Sequence, residues 1–129
     1  MRPDVSPASS LLNIEQACVG WALLGEPTPT WLEARHFFFA AHRKLWSAYR
    51  SQRDPRGPLV GTVAQLRRWG VNRSNEVTWH SVFLAGLVTE AAEVGIAPPF
   101  EAVRAAAEKR EAVRRLERQL AELRKEVAA

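Results

Sequence analysis

Cysteine is nearly missing from this chain: Cys18 stands alone, so no intrachain disulfide framework can brace it, and a reducing, cytoplasmic setting is expected. Long apolar runs are missing too. The longest, residues 17–24, falls far short of the ~20 residues that a membrane helix needs. At the N-terminus Arg2 is offset by Asp4, and Glu15 interrupts what would be the apolar stretch of a signal peptide. Neither export nor a membrane is expected. No glycine-rich phosphate loop occurs: the pattern G-x-x-x-x-G-K-[ST] is absent, as is a dinucleotide fingerprint. Nucleotide hydrolysis is therefore not expected, nor is a bound cofactor. Strand-like alternation is found nowhere, and beyond Pro99 there is neither glycine nor proline.

What is present is an ordinary globular composition. Of 129 residues, 47% are hydrophobic and 25% charged, which places the chain well away from disorder. One domain of this size buries roughly two-thirds of its unfolded surface, enough for a single core. The net charge of +4 is spread evenly, with +2 on each side of residue 100. There is no basic block of the kind that marks a nucleic-acid arm, so direct DNA contact is expected to be weak or absent.

Proline and glycine divide the chain into helical segments. Residues 1–10, rich in Pro and Ser, read as a loose tail. Asn13 reads as a helix cap, with Glu15 near the positive end. The helix that follows, to Leu24, is apolar nearly all round and must be central. After the loop at residues 25–30, a short turn is expected around Trp31 to Ala34. A helix is predicted from about Phe38 to Gln52. Phe38, His42, Leu45 and Tyr49 recur there at steps of four, three and four, forming one stripe that Phe39 and Trp46 widen. Residues 54–58 read as a loop. A third helix is predicted over residues 62–69, stopping at Gly70 in a left-handed cap. A fourth covers about 79–93, with Val82, Phe83, Leu87 and Val94 among its apolar positions. The last runs from Phe100 to the end. On it Val113, Leu116, Leu120, Leu123 and Val127 alternate steps of three and four, a heptad seam of just over two repeats. Glu111 with Arg115, and Glu122 with Lys125, are spaced to pair. The expected fold is all-α: a small helical bundle ending in a helical hairpin with a long C-terminal helix. Its divisions are a tail at 1–10, a helical domain at 11–117, and an extension of the last helix at 118–129.

Residue types that carry catalysis are present but scattered. His36 and His42 are six apart, on different helix faces, and no carboxylate lies at metal-ligand spacing beside them. His42 falls on the apolar stripe itself, which predicts a buried, hydrogen-bonded imidazole. His80 stands apart from both. Cys18 lies in the apolar first helix, where a thiol is an inert small hydrophobe. No catalytic or metal residues are assigned. The expected core comprises Trp21, Leu24, Phe37, Phe38, His42, Leu45, Trp46 and Tyr49. The stretch TVAQLRRWGVNRSNEV, residues 62–77, offers an alternative reading as a DNA-binding helix-turn-helix regulator with the last helix as its dimerising element. Against it, Leu66 stands where that motif needs a small residue, and Glu76 where it buries a β-branched one.

Taken in order, these segments resemble the N-terminal domain of the DnaB-type replicative DNA helicases. Asn13-Ile14-Glu15-Gln16-Ala17-Cys18-Val19-Gly20 is similar to that family's opening N-I-E-A-E-Q-x-V-L-G. Phe37, Phe38, His42, Arg43, Leu45 and Trp46 fall in register with D-F-Y-x-x-x-H-R-x-I-F. Val63-Ala64-Gln65-Leu66-Arg67-Arg68-Trp69-Gly70 is similar to V-A-E-E-L-K-R-R-G, Phe83-Leu84-Ala85-Gly86-Leu87 to Y-L-A-E-L, and Glu111-Ala112-Val113-Arg114-Arg115-Leu116 to the helix around K-A-L-L-R-R-L. Two differences stand out: Gly95-Ile96-Ala97-Pro98-Pro99 replaces the family's P-S-A-A-N turn, and its ATPase domain is not within these 129 residues. The resemblance implies a non-enzymatic interaction module acting in DNA replication. It would pair with copies of itself, as a dimer or larger assembly, and dock a helicase motor, primase or loader. Val113, Leu116, Leu120, Leu123 and Val127 form the expected interface.

Overall fold

The computed structural model describes residues 7–70 and 81–128. These form five α-helices and one 3-10 turn: α1 (Pro7–Leu24), the turn (Ala34–His36), α2 (Ala40–Ser51), α3 (Pro58–Arg68), α4 (Ser81–Val94) and α5 (Phe100–Ala128). The architecture is all-α, and it ends in a long C-terminal helix.

α1 is the hub, touching each of the other four helices. Its composition requires this, since Cys18, Val19, Ala22 and Leu23 are all buried and a helix apolar on most sides must be covered on most sides. The helix includes residues 7–10, which the composition had placed in the tail. Asn13 accordingly lies within α1 and does not cap it. The closest packing is against α4, where α1 presents Gly20. A Cβ at that position would run into the Leu87 carbonyl oxygen and press on Ala91. The missing side chain is what lets the two backbones approach.

α2 begins at Ala40, two residues after the predicted start. Phe37 and Phe39 are both extended, with ψ of 136° and 129°. Successive side chains in extended backbone point opposite ways. Phe37 is therefore buried at 1% exposure, and Phe38 stands 47% exposed. The four-residue step from Phe38 to His42 is not a helical step, and Phe38 is not a core residue. Leu45, Trp46 and Ala48 of α2 are fully covered. Trp21, Leu24 and Tyr49 are half-buried at the margin of the core.

α3 starts four residues earlier than expected, because Pro58 fits the first helical position and Gly57, with φ of 118°, supplies the turn into it. Gly70 has the left-handed φ of 73° predicted for it. The loop between α2 and α3 is held by Asp54, whose carboxylate takes the Arg56 backbone N–H at 2.9 Å and its guanidinium at 2.8 Å. Hydrogen bonding from Arg56 lowers the Asp54 pKa to about 2.

α4 buries Leu84, Leu87 and Ala91, while Val94 and Ile96 are exposed. The turn at residues 95–99 leads into α5, where Phe100 and Val103 are buried. The last two helices follow one another through this turn, but among the described residues each rests on α1 and neither rests on the other. No helix among the described residues is long and apolar enough to cross a membrane. The helix-turn-helix letters Arg73, Asn75 and Glu76, along with His80, lie outside the described residues, as do the side chains of Val82 and Phe83.

Candidate interaction site

The aromatic segment at residues 36–49 turns inward and is fastened to α1 by a carboxylate. Glu15, with no exposed surface, accepts the Phe38 N–H at 2.7 Å and the Phe39 N–H at 3.4 Å. It also meets His42 Nδ1 at 2.7 Å. Phe39 is the N-cap of α2 and makes no side-chain cap of its own. α1 thus supplies from a distance the acceptor that a helix start requires, and a carboxylate suits the positive end of the helix dipole. The sequence alone places Glu15 near the positive end of the first helix. The signal available was a lone carboxylate in a helix apolar nearly all round, together with a histidine on an apolar stripe. Two buried polar groups in one small core are best satisfied by each other.

The rest of the segment fastens the loop that follows α1. Trp46 Nε1 donates to the Leu32 carbonyl at 2.9 Å, the Tyr49 and Thr28 hydroxyls bond at 2.9 Å, and Arg50 reaches the carbonyls of Pro29 and Leu32. The Trp46 ring lies 5.0 Å from Phe37 and 5.1 Å from Tyr49. His36 is buried with its Nδ1 accepting the Glu33 N–H at 2.9 Å. Burial, and secondarily the charge of Arg35, lowers its pKa below 6.5. Burial likewise pushes the Cys18 thiol up to about 12, with the Glu15 charge adding to the shift. A thiol held neutral at that level is not a nucleophile at ordinary pH. No group of three or more His, Cys, Asp or Glu that could hold a metal ion occurs among the described residues.

The surface looks different. A cleft of about 690 Å³ opens between α5 and the start of α2, with arginines 35, 43, 104, 110, 114 and 115 in its lining. Most of these guanidinium groups are engaged within the molecule. Arg43 bonds the carbonyls of Phe37 and Phe38, and Arg104 sits 4.1 Å above the Trp31 ring. Arg110 donates Nη2 to the His36 carbonyl at 3.0 Å and covers the Phe38 ring at 5.2 Å. The half-exposed Phe38 ring therefore carries a cation on its face. A second cleft, apolar and about 390 Å³, lies between α1 and the turn after α4, with Trp21, Leu87, Val94 and Ile96 among its walls.

Beyond Arg110 the character of α5 changes. Every described residue from Glu111 onward is exposed, so this stretch is a bare rod standing off the body. Local ion pairs line it: Arg114 and Arg118 reach Glu111 at 3.6 and 3.5 Å, and Lys125 reaches Glu122 at 3.5 Å. Glu111 pairs with these two arginines in place of the expected Arg115. Along one side run Val113, Leu116, Leu120, Leu123 and Val127, from 47% exposed at Leu120 to 87% at Val127. This seam is the largest row of apolar side chains left in water among the described residues. Compared with protein-family models, curated proteins and solved structures, the chain finds no match.

Proposed function

We propose that this chain is a non-enzymatic, cytoplasmic helical interaction module of the replicative-helicase N-terminal type. It self-associates through the seam on α5 and docks a helicase motor, primase or loader in DNA replication. The observation that carries the reading is the seam itself. Five branched apolar side chains at heptad spacing stand in water on a helix that has left its own domain, and such a contiguous apolar stripe marks a surface that another protein covers.

Support for the helicase-type reading comes from the meeting of two segments that carry the resemblance. Glu15 of Asn13-Ile14-Glu15 and His42 of the His42-Arg43 pair are 27 positions apart and bonded at 2.7 Å. Residues shared with a family for their structural role are expected to be found in contact like this.

Multi-angle light scattering on the full chain at tens of micromolar, on the order of weak-interface affinities, tests self-association. A dimer or larger species is expected, and Leu120→Glu should return it to monomer. A monomeric parent chain overturns the reading. Co-elution with a purified replicative helicase motor or primase tests the docking role, and failure to bind either removes the replication assignment.

A further inference from the structure

The seam fixes more than the existence of a partner. We infer that two copies of this chain pair with their α5 rods antiparallel, Leu116 against the partner's Val127 and Leu120 against the partner's Leu123. This pairing rests on the self-association reading above and specifies its geometry.

The first argument is where the rod becomes free. Arg110 makes the last bond from α5 to the body, at the His36 carbonyl, and the wall of the arginine cleft ends at Arg115. From there to residue 128 the helix touches nothing else among the described residues. With Leu116 opposite the partner's Val127, residue 115 lies opposite residue 128. The four apolar layers from Leu116 to Val127 then fall wholly within the exposed length of each rod.

The second argument is charge. With Val113, Leu120 and Val127 in one set of core positions and Leu116 and Leu123 in the other, the residues flanking the core on one side are Arg110, Glu117 and Arg124. On the other side they are Ala112, Gln119 and Glu126. In an antiparallel pair, each flank meets the same flank of the partner. The proposed register places Glu117 beside the partner's Arg124, and symmetry repeats the pair. Shifting by one heptad, with Leu116 opposite the partner's Leu120, keeps four apolar layers but sets Glu117 against Glu117 and Arg110 against Arg124. Like charges at that spacing repel, so charge separates two registers that burial alone does not. Parallel pairing adds a Val113 layer. However, it offers only Ala112 with Glu117 and Gln119 with Arg124 across the flanks, with no opposite charges. It also lays the partner helix beside the flank at Arg110, which the body already occupies.

Variants of the full chain with one added cysteine test the geometry, since Cys18 is buried. Leu116→Cys and Val127→Cys are prepared separately, then oxidised alone and as an equimolar mixture. Covalent dimer is expected only in the mixture, because like positions lie eleven residues apart along the antiparallel rods, about 16 Å, beyond disulfide reach. Covalent dimer from Leu116→Cys alone overturns the proposal in favour of parallel pairing. A dimer by light scattering with no cross-link in the mixture also overturns it, while leaving self-association standing. A monomer throughout removes both. Independently, Glu117→Arg or Arg124→Glu alone should weaken the dimer about tenfold, and the two together should restore it. A double variant as weak as either single one overturns the charge pairing. These positions stand clear of the body, so the fold persists in each variant, as circular dichroism will show.

Discussion

With no accessible surface of its own, the Glu15 carboxylate must find its partners inside the chain, and it takes three: His42 Nδ1 and the backbone N–H groups of Phe38 and Phe39. Glu15→Ala would leave the buried His42 ring and two backbone N–H groups without their acceptor. The expected loss is about 3–5 kcal/mol, read by urea unfolding, with Glu15→Gln losing less because its amide oxygen still accepts. A near-parental midpoint for Glu15→Ala would mean that water reaches this corner. His36 is a second buried polar residue with a measurable signature. In the folded chain its Nδ1 must accept the Glu33 N–H, so the ring is neutral there, whereas the unfolded chain takes up a proton near pH 6.5. The unfolded state then binds more protons below that pH. The stability that His36 contributes is fully present above about 6.5 and is lost as pH falls through its lowered folded value. Melting temperature should drop from pH 7 to pH 5, and His36→Asn should flatten that drop.

At the scale of the element, helices were legible wherever the apolar period was long and the punctuation clear. α5 shows this best, its start at Phe100 following directly from the last proline. The start of α2 was not legible, because a residue outside the local sequence decides it. α2 begins at Ala40 because Glu15 of a distant helix supplies its cap, and no pattern within residues 36–49 contains that information. Phe38 was misplaced for the same reason: a spacing of four implies a shared face only inside a helix. α3 begins ahead of its expected start because Pro58, which closes a Pro/Gly-rich loop, suits a first helical turn equally well. The crossing of α1 and α4 was not visible at all, since Gly20 in an apolar helix gives no sign of which neighbour comes close. Gly20→Ala now tests it. The added methyl must displace the Leu87 backbone, with an expected loss of about 1–3 kcal/mol in thermal or urea unfolding. An unchanged midpoint would show that the two helices are not in intimate contact.

For the whole molecule, what distinguishes this chain is the contrast between a body whose aromatic side chains are fastened and a rod whose leucines are bare. The seam was fully readable in advance, because periodicity and the lack of glycine and proline are local properties. Whether the seam would fold back on its own domain was not readable, since that depends on where the body ends. From residue 111 to residue 128 the helix rises about 27 Å, more than the ~14 Å radius of gyration of a compact chain of 129 residues. Small-angle scattering should therefore give a radius of gyration well above 14 Å, and a value near it would mean that the rod lies down. The consequence is mechanical. A stiff strut of that length acts as a spacer, so two bodies joined through it would be held apart as in a dumbbell. The arginine-walled clefts at their bases would then be left open to a third molecule.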